Sequence, residues 1–115
     1  MTPTDKALNL QYLIKSYYTQ WMQVGKHKLP DLTDCLDFMM TEVAEAIELR
    51  LRRVPYVRNN PRDDIPTDEE LGIEIFDAIM MGSIALDILG LDLQQIATKK
   101  LEYMHNKRMN RRDAQ

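Results

Sequence analysis

Apolar residues recur at helical spacing along most of this chain. Leu10, Leu13, Ile14, Tyr17, Trp21 and Val24 follow at three- and four-residue steps, which marks an amphipathic helix. Thr4 is placed to cap that helix, Asp5 to favour its dipole, and Gly25 to end it. A second stripe, Leu36, Met39, Met40, Val43, Ile47 and Leu51, follows a cap at Asp31 or Thr33. It stops near Arg53, because Pro55 disfavours helix before it. Residues 54–67 hold three prolines and a polar cluster, which predicts a long loop. Thr67 and Glu70 then form a capping-box pattern, and a third helix runs to about Leu89. Gly90 closes it, Asp92 caps a fourth, and the last residues are polar and expected to fray. No segment alternates with period two. The pattern predicts an all-α, four-helix fold with helices at about 4–24, 31–53, 68–89 and 92–108, in a single domain spanning 1–115.

The third helix changes this picture. Leu71, Ile73, Ile75, Phe76, Ile79 and Met80 leave it apolar on most sides, and a helix of that kind is buried all round. A chain of 115 residues can cover only part of that surface by itself, so burial against another subunit is expected. Composition adds less. The chain is 44% hydrophobic and 29% charged with a formal net charge of −3, which reads as globular and gives no reason to expect nucleic-acid binding. The single cysteine, Cys35, excludes an intrachain disulfide and is expected as a core thiol in a reducing compartment. Met1-Thr-Pro-Thr-Asp5 has no secretion-signal pattern, and no apolar run reaches membrane-spanning length, so a cytoplasmic protein without a membrane partner is expected.

Two acid pairs carry the candidate chemistry. Glu42 and Glu45 lie three residues apart in the second helix, as do Glu74 and Asp77 in the third. Positions i and i+3 share a helix face. Neighbouring helices would therefore aim four carboxylates into one small volume. Two like charges about 4 Å apart repel by roughly 4 kcal/mol at an effective dielectric near 20. A hard divalent cation neutralises such a cluster, and Mg²⁺ on oxygen ligands keeps waters that a phosphate can replace. The bland alternative is a solvated acidic face, which Glu-x-x-Glu spacing alone does not exclude. Acids are rarer in strongly apolar runs, however, and both pairs lie in such runs.

Glu42-x-x-Glu45, 28 intervening residues, then Glu74-x-x-Asp77 resembles the signature of the MazG-like, all-α nucleoside triphosphate pyrophosphohydrolase superfamily. The flanking words Thr41-Glu-Val-Ala-Glu-Ala-Ile-Glu48, Leu71-Gly-Ile-Glu-Ile-Phe-Asp77 and Gly90-Leu-Asp-Leu are similar to its second-helix, third-helix and closing blocks. The resemblance spans about residues 31–108. It implies Mg²⁺-dependent hydrolysis of a nucleoside triphosphate between the α- and β-phosphates, with Mn²⁺ as an alternative ion. It implies Glu42, Glu45, Glu74 and Asp77 as metal ligands, with Glu42 or Glu45 orienting or deprotonating the attacking water. It also implies a homo-oligomer, either a dimer or a tetramer built as a dimer of dimers.

The family's lysine, asparagine and arginine on the fourth helix correspond to a basic stretch with a different register. Met104 stands where the asparagine commonly falls and Lys107 where the arginine would. Lys100 is the first candidate for phosphate contact, followed by Lys99 and Asn106; the competing reading is a solvated basic helix end. A base pocket needs an aromatic face, for which Trp21 is the candidate beside Tyr17 and Tyr18, against a reading of all three as core. His27 and His105 are isolated, and neither forms the Glu-x-x-His motif of di-iron bundles. Two further readings compete. One is a catalytically silent oligomerisation module whose acids pair with Arg50, Arg52, Arg53 or Arg58. The other is a phosphoribosyl-ATP pyrophosphohydrolase.

Overall fold

The computed structural model describes residues 9–25, 28–54 and 65–113. Among them it has four α-helices and no strand: α1 Leu10–Val24, α2 Leu32–Leu51, α3 Asp68–Ile88 and α4 Leu93–Asp113. The all-α expectation holds. No helix among the described residues is long and apolar enough to cross a bilayer.

Local chemistry sets the helix ends. Asn9 has an extended backbone, and its side chain accepts from the Tyr12 N–H at 2.9 Å. The described helix begins at Leu10, where Asn9 caps it; the expected start near residue 4 lies outside the described residues. Thr4 lies outside the described residues. Of the two candidate caps for α2, Asp31 serves: the Asp34 N–H donates to its carboxylate at 2.8 Å, and Asp34 accepts from the Asp31 N–H at 3.3 Å. The box at α3 forms as the sequence implies, with Glu70 N–H donating to Thr67 Oγ1 at 3.1 Å. Gly90 takes φ 72°, a left-handed conformation costly for other residues, while the Leu91 N–H reaches back to the Leu86 carbonyl at 2.9 Å. Asp92 accepts from the Gln95 N–H at 2.9 Å and starts α4. That helix continues past Arg108 to Asp113, beyond the expected end. Lys107, Arg108, Met109 and Arg111 are good helix formers, and the charges of Lys107, Arg108 and Arg111 suit the C-terminal end of the helix dipole.

Most tertiary contact lies between α2 and α3; α1 packs on α3, and α4 touches α3 only lightly. Cys35, Met81 and Ala85 form the buried centre, with Leu32, Met39, Met80 and Ile84 packed around it. At Gly82 the helices come close: a Cβ there would stand 3.4 Å from Met39 Cε. Cys35 is wholly buried, as expected of a core thiol. Burial raises its pKa, and the neighbouring Asp34 and Asp31 raise it further, so the reactive thiolate is disfavoured. Gln11 pins α1 to the turn before α4, donating to the Leu91 carbonyl at 2.9 Å and accepting from the Leu93 N–H at 2.8 Å. Arg53 closes the other end of the fold, donating to the Pro66 carbonyl at 3.0 Å and pairing with Asp68 at 2.7 Å.

The apolar surface of α3 is not covered by its own chain. Ile73, Ile75 and Ile79 remain 56%, 48% and 46% exposed. The radius of gyration is 18.6 Å, whereas a compact chain of this length has about 13 Å. The capping assignments yield a direct check. Asp31→Ala should cost about 1 kcal/mol of stability in urea or thermal unfolding. Thr33→Ala, inside the first turn of α2, should change it by no more than about 0.5 kcal/mol. Equal losses at the two positions would contradict the assignment.

Candidate metal centre

The α2–α3 seam joins the two acid pairs. Glu42 and Glu45 come from adjacent turns of α2, and Glu74 and Asp77 from adjacent turns of α3. One carboxylate oxygen from each of Glu42, Glu45 and Glu74 lies within 4.8 Å of the other two. Asp77 falls outside this triad but is near enough for its charge to act on both Glu42 and Glu74. Glu45 is exposed, while Glu42, Glu74 and Asp77 are half-buried.

The electrostatics express that crowding. Desolvation raises the Glu42 pKa above its ordinary 4.5, and the charges of Glu45, Asp77 and Glu74 raise it further. Glu74 is raised in the same way, first by desolvation, then by Asp77 and Glu45. Glu74 Oε2 is buried without a hydrogen-bond partner. A buried acceptor left unpaired is costly, and a solvated acidic face does not account for it. Nor do basic side chains. Among the described residues the ion pairs are Lys15–Asp87 and Arg53–Asp68, and neither includes a cluster acid. A set of close carboxylate oxygens with no nitrogen or sulfur donor fits a hard cation such as Mg²⁺ or Mn²⁺. Glu42, Glu45 and Glu74 are the residues positioned to hold it, with Asp77 adjacent.

The other candidate residues stand apart. Lys99, Lys100 and Asn106 are exposed on α4, and none of the α4 cations lies within 4.0 Å of a carboxylate among the described residues. Lys100 and Lys107 both approach the Tyr103 ring, with Nζ 5.5 and 5.9 Å from its centroid. Within one chain α4 leaves α3 at the Gly90 turn and has little further contact with it. Trp21 is 53% exposed, its ring 6.0 Å from that of Tyr17. Tyr18 instead lines a cavity of about 90 Å³ between α1 and α3, with Lys15, Ser83 and Asp87 among its other walls; Trp21 is not part of it. Lys15 and Asp87 meet there at 3.3 Å. They are 72 positions apart, and no spacing rule connects them. His105 is exposed, and His27 and Arg58 lie outside the described residues.

Comparison with protein-family models, with curated proteins and with solved structures returns no match to this chain.

The raised carboxyls imply a pH dependence. Glu42 and Glu74 bind protons more tightly in the folded chain than in the unfolded one. Their contribution to stability therefore falls as pH rises from the ordinary 4.5 through the raised values, and the loss is complete above them. In chelator-treated protein, Glu45→Gln removes a charge acting on both groups. It should raise the thermal midpoint at neutral pH and flatten the decline between mildly acidic and neutral conditions. A variant with the wild-type slope and a lower midpoint would refute this account of the cluster.

Proposed function

We propose that this chain is a Mg²⁺-dependent nucleoside triphosphate pyrophosphohydrolase of the MazG-like, all-α type, with Mn²⁺ as an alternative ion. The observation that carries the reading is the carboxylate triad of Glu42, Glu45 and Glu74, with its buried, unpaired Glu74 oxygen and no basic counter-charge among the described residues. The signature resemblance adds the reaction. Bound cation supplies positive charge to phosphate oxygens and acidifies water.

The chain's own residues have distinct roles in this reading. Glu42, Glu45 and Glu74 hold the ion, and Asp77 adds negative charge at the edge of the site. Glu45 is the exposed member and so the one able to meet solvent. It, or Glu42, orients the attacking water and takes its proton. The water oxygen bonds to the α-phosphorus as the bond to the α–β bridging oxygen breaks. Pyrophosphate leaves with that oxygen, and the nucleoside monophosphate remains. Lys100, Lys99 and Asn106 contact the phosphates, and Trp21 offers a face to the base. Because α4 stands away from the cluster in one chain, the active form is a homo-oligomer, a dimer or a dimer of dimers. The reading puts the reaction in the cytoplasm, where a lone reduced cysteine is ordinary.

Salt-bridge duty for the acids, as in a silent module, receives no support from the described arginines, since Arg53 pairs with Asp68 instead.

The assay is a panel of ribo- and deoxyribonucleoside triphosphates incubated with Mg²⁺, scoring monophosphate and pyrophosphate separately from diphosphate and phosphate. The expected products are monophosphate and pyrophosphate, with turnover falling in Glu45→Ala and, by about 10- to 100-fold, in Asp77→Ala. Diphosphate plus phosphate, or variants with near-normal turnover, would refute the proposal.

A further inference from the structure

The cavity between α1 and α3 has no part in the proposed reaction. Its walls are mostly apolar: Ile14 from α1, Leu29 and Pro30 from the segment before α2, and Ile84 and Ile88 from α3. Its volume is about 90 Å³. It lies away from the acids. Ser83, which lines it, follows Glu74 by nine residues on α3. Nine residues make about two and a half helical turns, so the two side chains leave opposite faces of α3, roughly 13 Å apart along its axis.

Two polar features of this cavity are not explained by the fold. The first is Ser83, which is 2% exposed and whose Oγ is buried without a hydrogen-bond partner. A helical serine can donate to the carbonyl one turn back, and Ser83 does not. A hydroxyl left unpaired in an apolar wall costs stability. The second is the ion pair of Lys15 and Asp87 at the rim, 3.3 Å apart, with side chains 60% and 36% exposed. An ammonium has three donors and a carboxylate about four acceptor sites, so one contact leaves most of both free. The rim thus offers positive and negative charge side by side above a neutral interior. Tyr18 keeps its proton there: burial raises its pKa above the ordinary 10.0, and Cys35 and Asp34 raise it further. Such a site disfavours a phosphate, because its one cation is already balanced by Asp87. It disfavours a charge at depth, because no counter-charge lines the interior. It matches a molecule that carries both signs at one end and an uncharged body at the other.

We propose that the α1–α3 cavity binds a free α-amino acid with a small, uncharged side chain, its carboxylate on Lys15, its ammonium on Asp87 and a polar side-chain atom on the Ser83 hydroxyl. Asp87 and Ser83 are four residues apart on α3, about 6 Å along the helix, which a side chain of a few atoms crosses. Ile14, Leu29, Pro30 and Ile84 enclose its carbon atoms. The bound molecule bridges α1 and α3, which share far less contact than α2 and α3 do. The site is separate from the acidic seam and does not rest on the proposed reaction, so its test removes the divalent ion and reads binding, not turnover.

The test screens the common amino acids one by one against the full, chelator-treated chain by thermal unfolding, with calorimetric titration of those that raise the midpoint. At least one amino acid with an uncharged polar side chain should raise the midpoint saturably. Its methyl ester, which lacks the carboxylate, and its N-acetyl form, which lacks the ammonium, should each bind about 10-fold more weakly or worse. Lys15→Met should weaken the free amino acid to the same degree. Ser83→Ala should weaken it about 3- to 10-fold, while the midpoint of the ligand-free variant stays level or rises, because an unpaired hydroxyl has gone. A purely structural serine would lower that midpoint instead. Silence across all the amino acids would overturn the proposal. So would an ester and an N-acetyl form that bind as well as the parent, which would mean that the cavity reads only an uncharged body. Unchanged affinity in both Ser83→Ala and Lys15→Met would overturn it too, by placing the ligand elsewhere.

Discussion

The packing of α2 on α3 sets almost everything else in this molecule. It buries Cys35, Met81 and Ala85, and the same contact brings Glu42, Glu45 and Glu74 within 4.8 Å of one another. Helical geometry links the two outcomes. Glu74, Ala78, Met81 and Ala85 recur at three- and four-residue steps on α3, so they share the side that meets α2. The apolar contact cannot form without gathering the acids. Its burial therefore offsets both the mutual repulsion of the carboxyls and the unpaired Glu74 oxygen. Natural proteins keep strained, destabilising groups of this kind where function requires them.

The second consequence is incompleteness. Few of the described residues lie wholly out of water, and among the large apolar side chains Ile47, Ile73, Ile75 and Ile79 stay about half exposed. A patch of that kind on a globular protein marks an interaction surface. The acidic seam is incomplete in a parallel sense, with four acids from two helices and no cation of the same chain beside them among the described residues. A hard ion held there, as proposed, would answer the charge and leave part of its shell to water or phosphate.

Legibility in the sequence followed the range of the interaction. Short-range chemistry was readable: the Thr67–Glu70 box, the turn at Gly90 and the cap at Asp92 are all formed as their residue types imply. The pairing of Glu42-x-x-Glu45 with Glu74-x-x-Asp77 was readable because helical periodicity constrains both pairs. The cap at Asn9 was not, since an asparagine suits many loop positions and only the extended backbone there singles it out. The end of α4 was also missed, because a run of lysines and arginines suits a frayed tail as well as a helix terminus. Lys15 with Asp87, and Gln11 with the Leu91–Leu93 backbone, are contacts between remote segments that no local pattern encodes. The position of α4 away from the acids was hidden for the same reason, since a bundle and an extended arm share one helical pattern.

The central claim is that the α2–α3 seam is a divalent-cation site, and its most direct test is calorimetric titration of Mg²⁺ into the chelator-treated chain at neutral pH. The account predicts saturable binding in the wild type, together with a rise in thermal midpoint that grows with ion concentration. It predicts that both disappear in Glu74→Gln, whose amide keeps the shape of the side chain and removes the charge. Wild-type protein that binds no Mg²⁺, or a Glu74→Gln variant that binds it equally well, would contradict the claim.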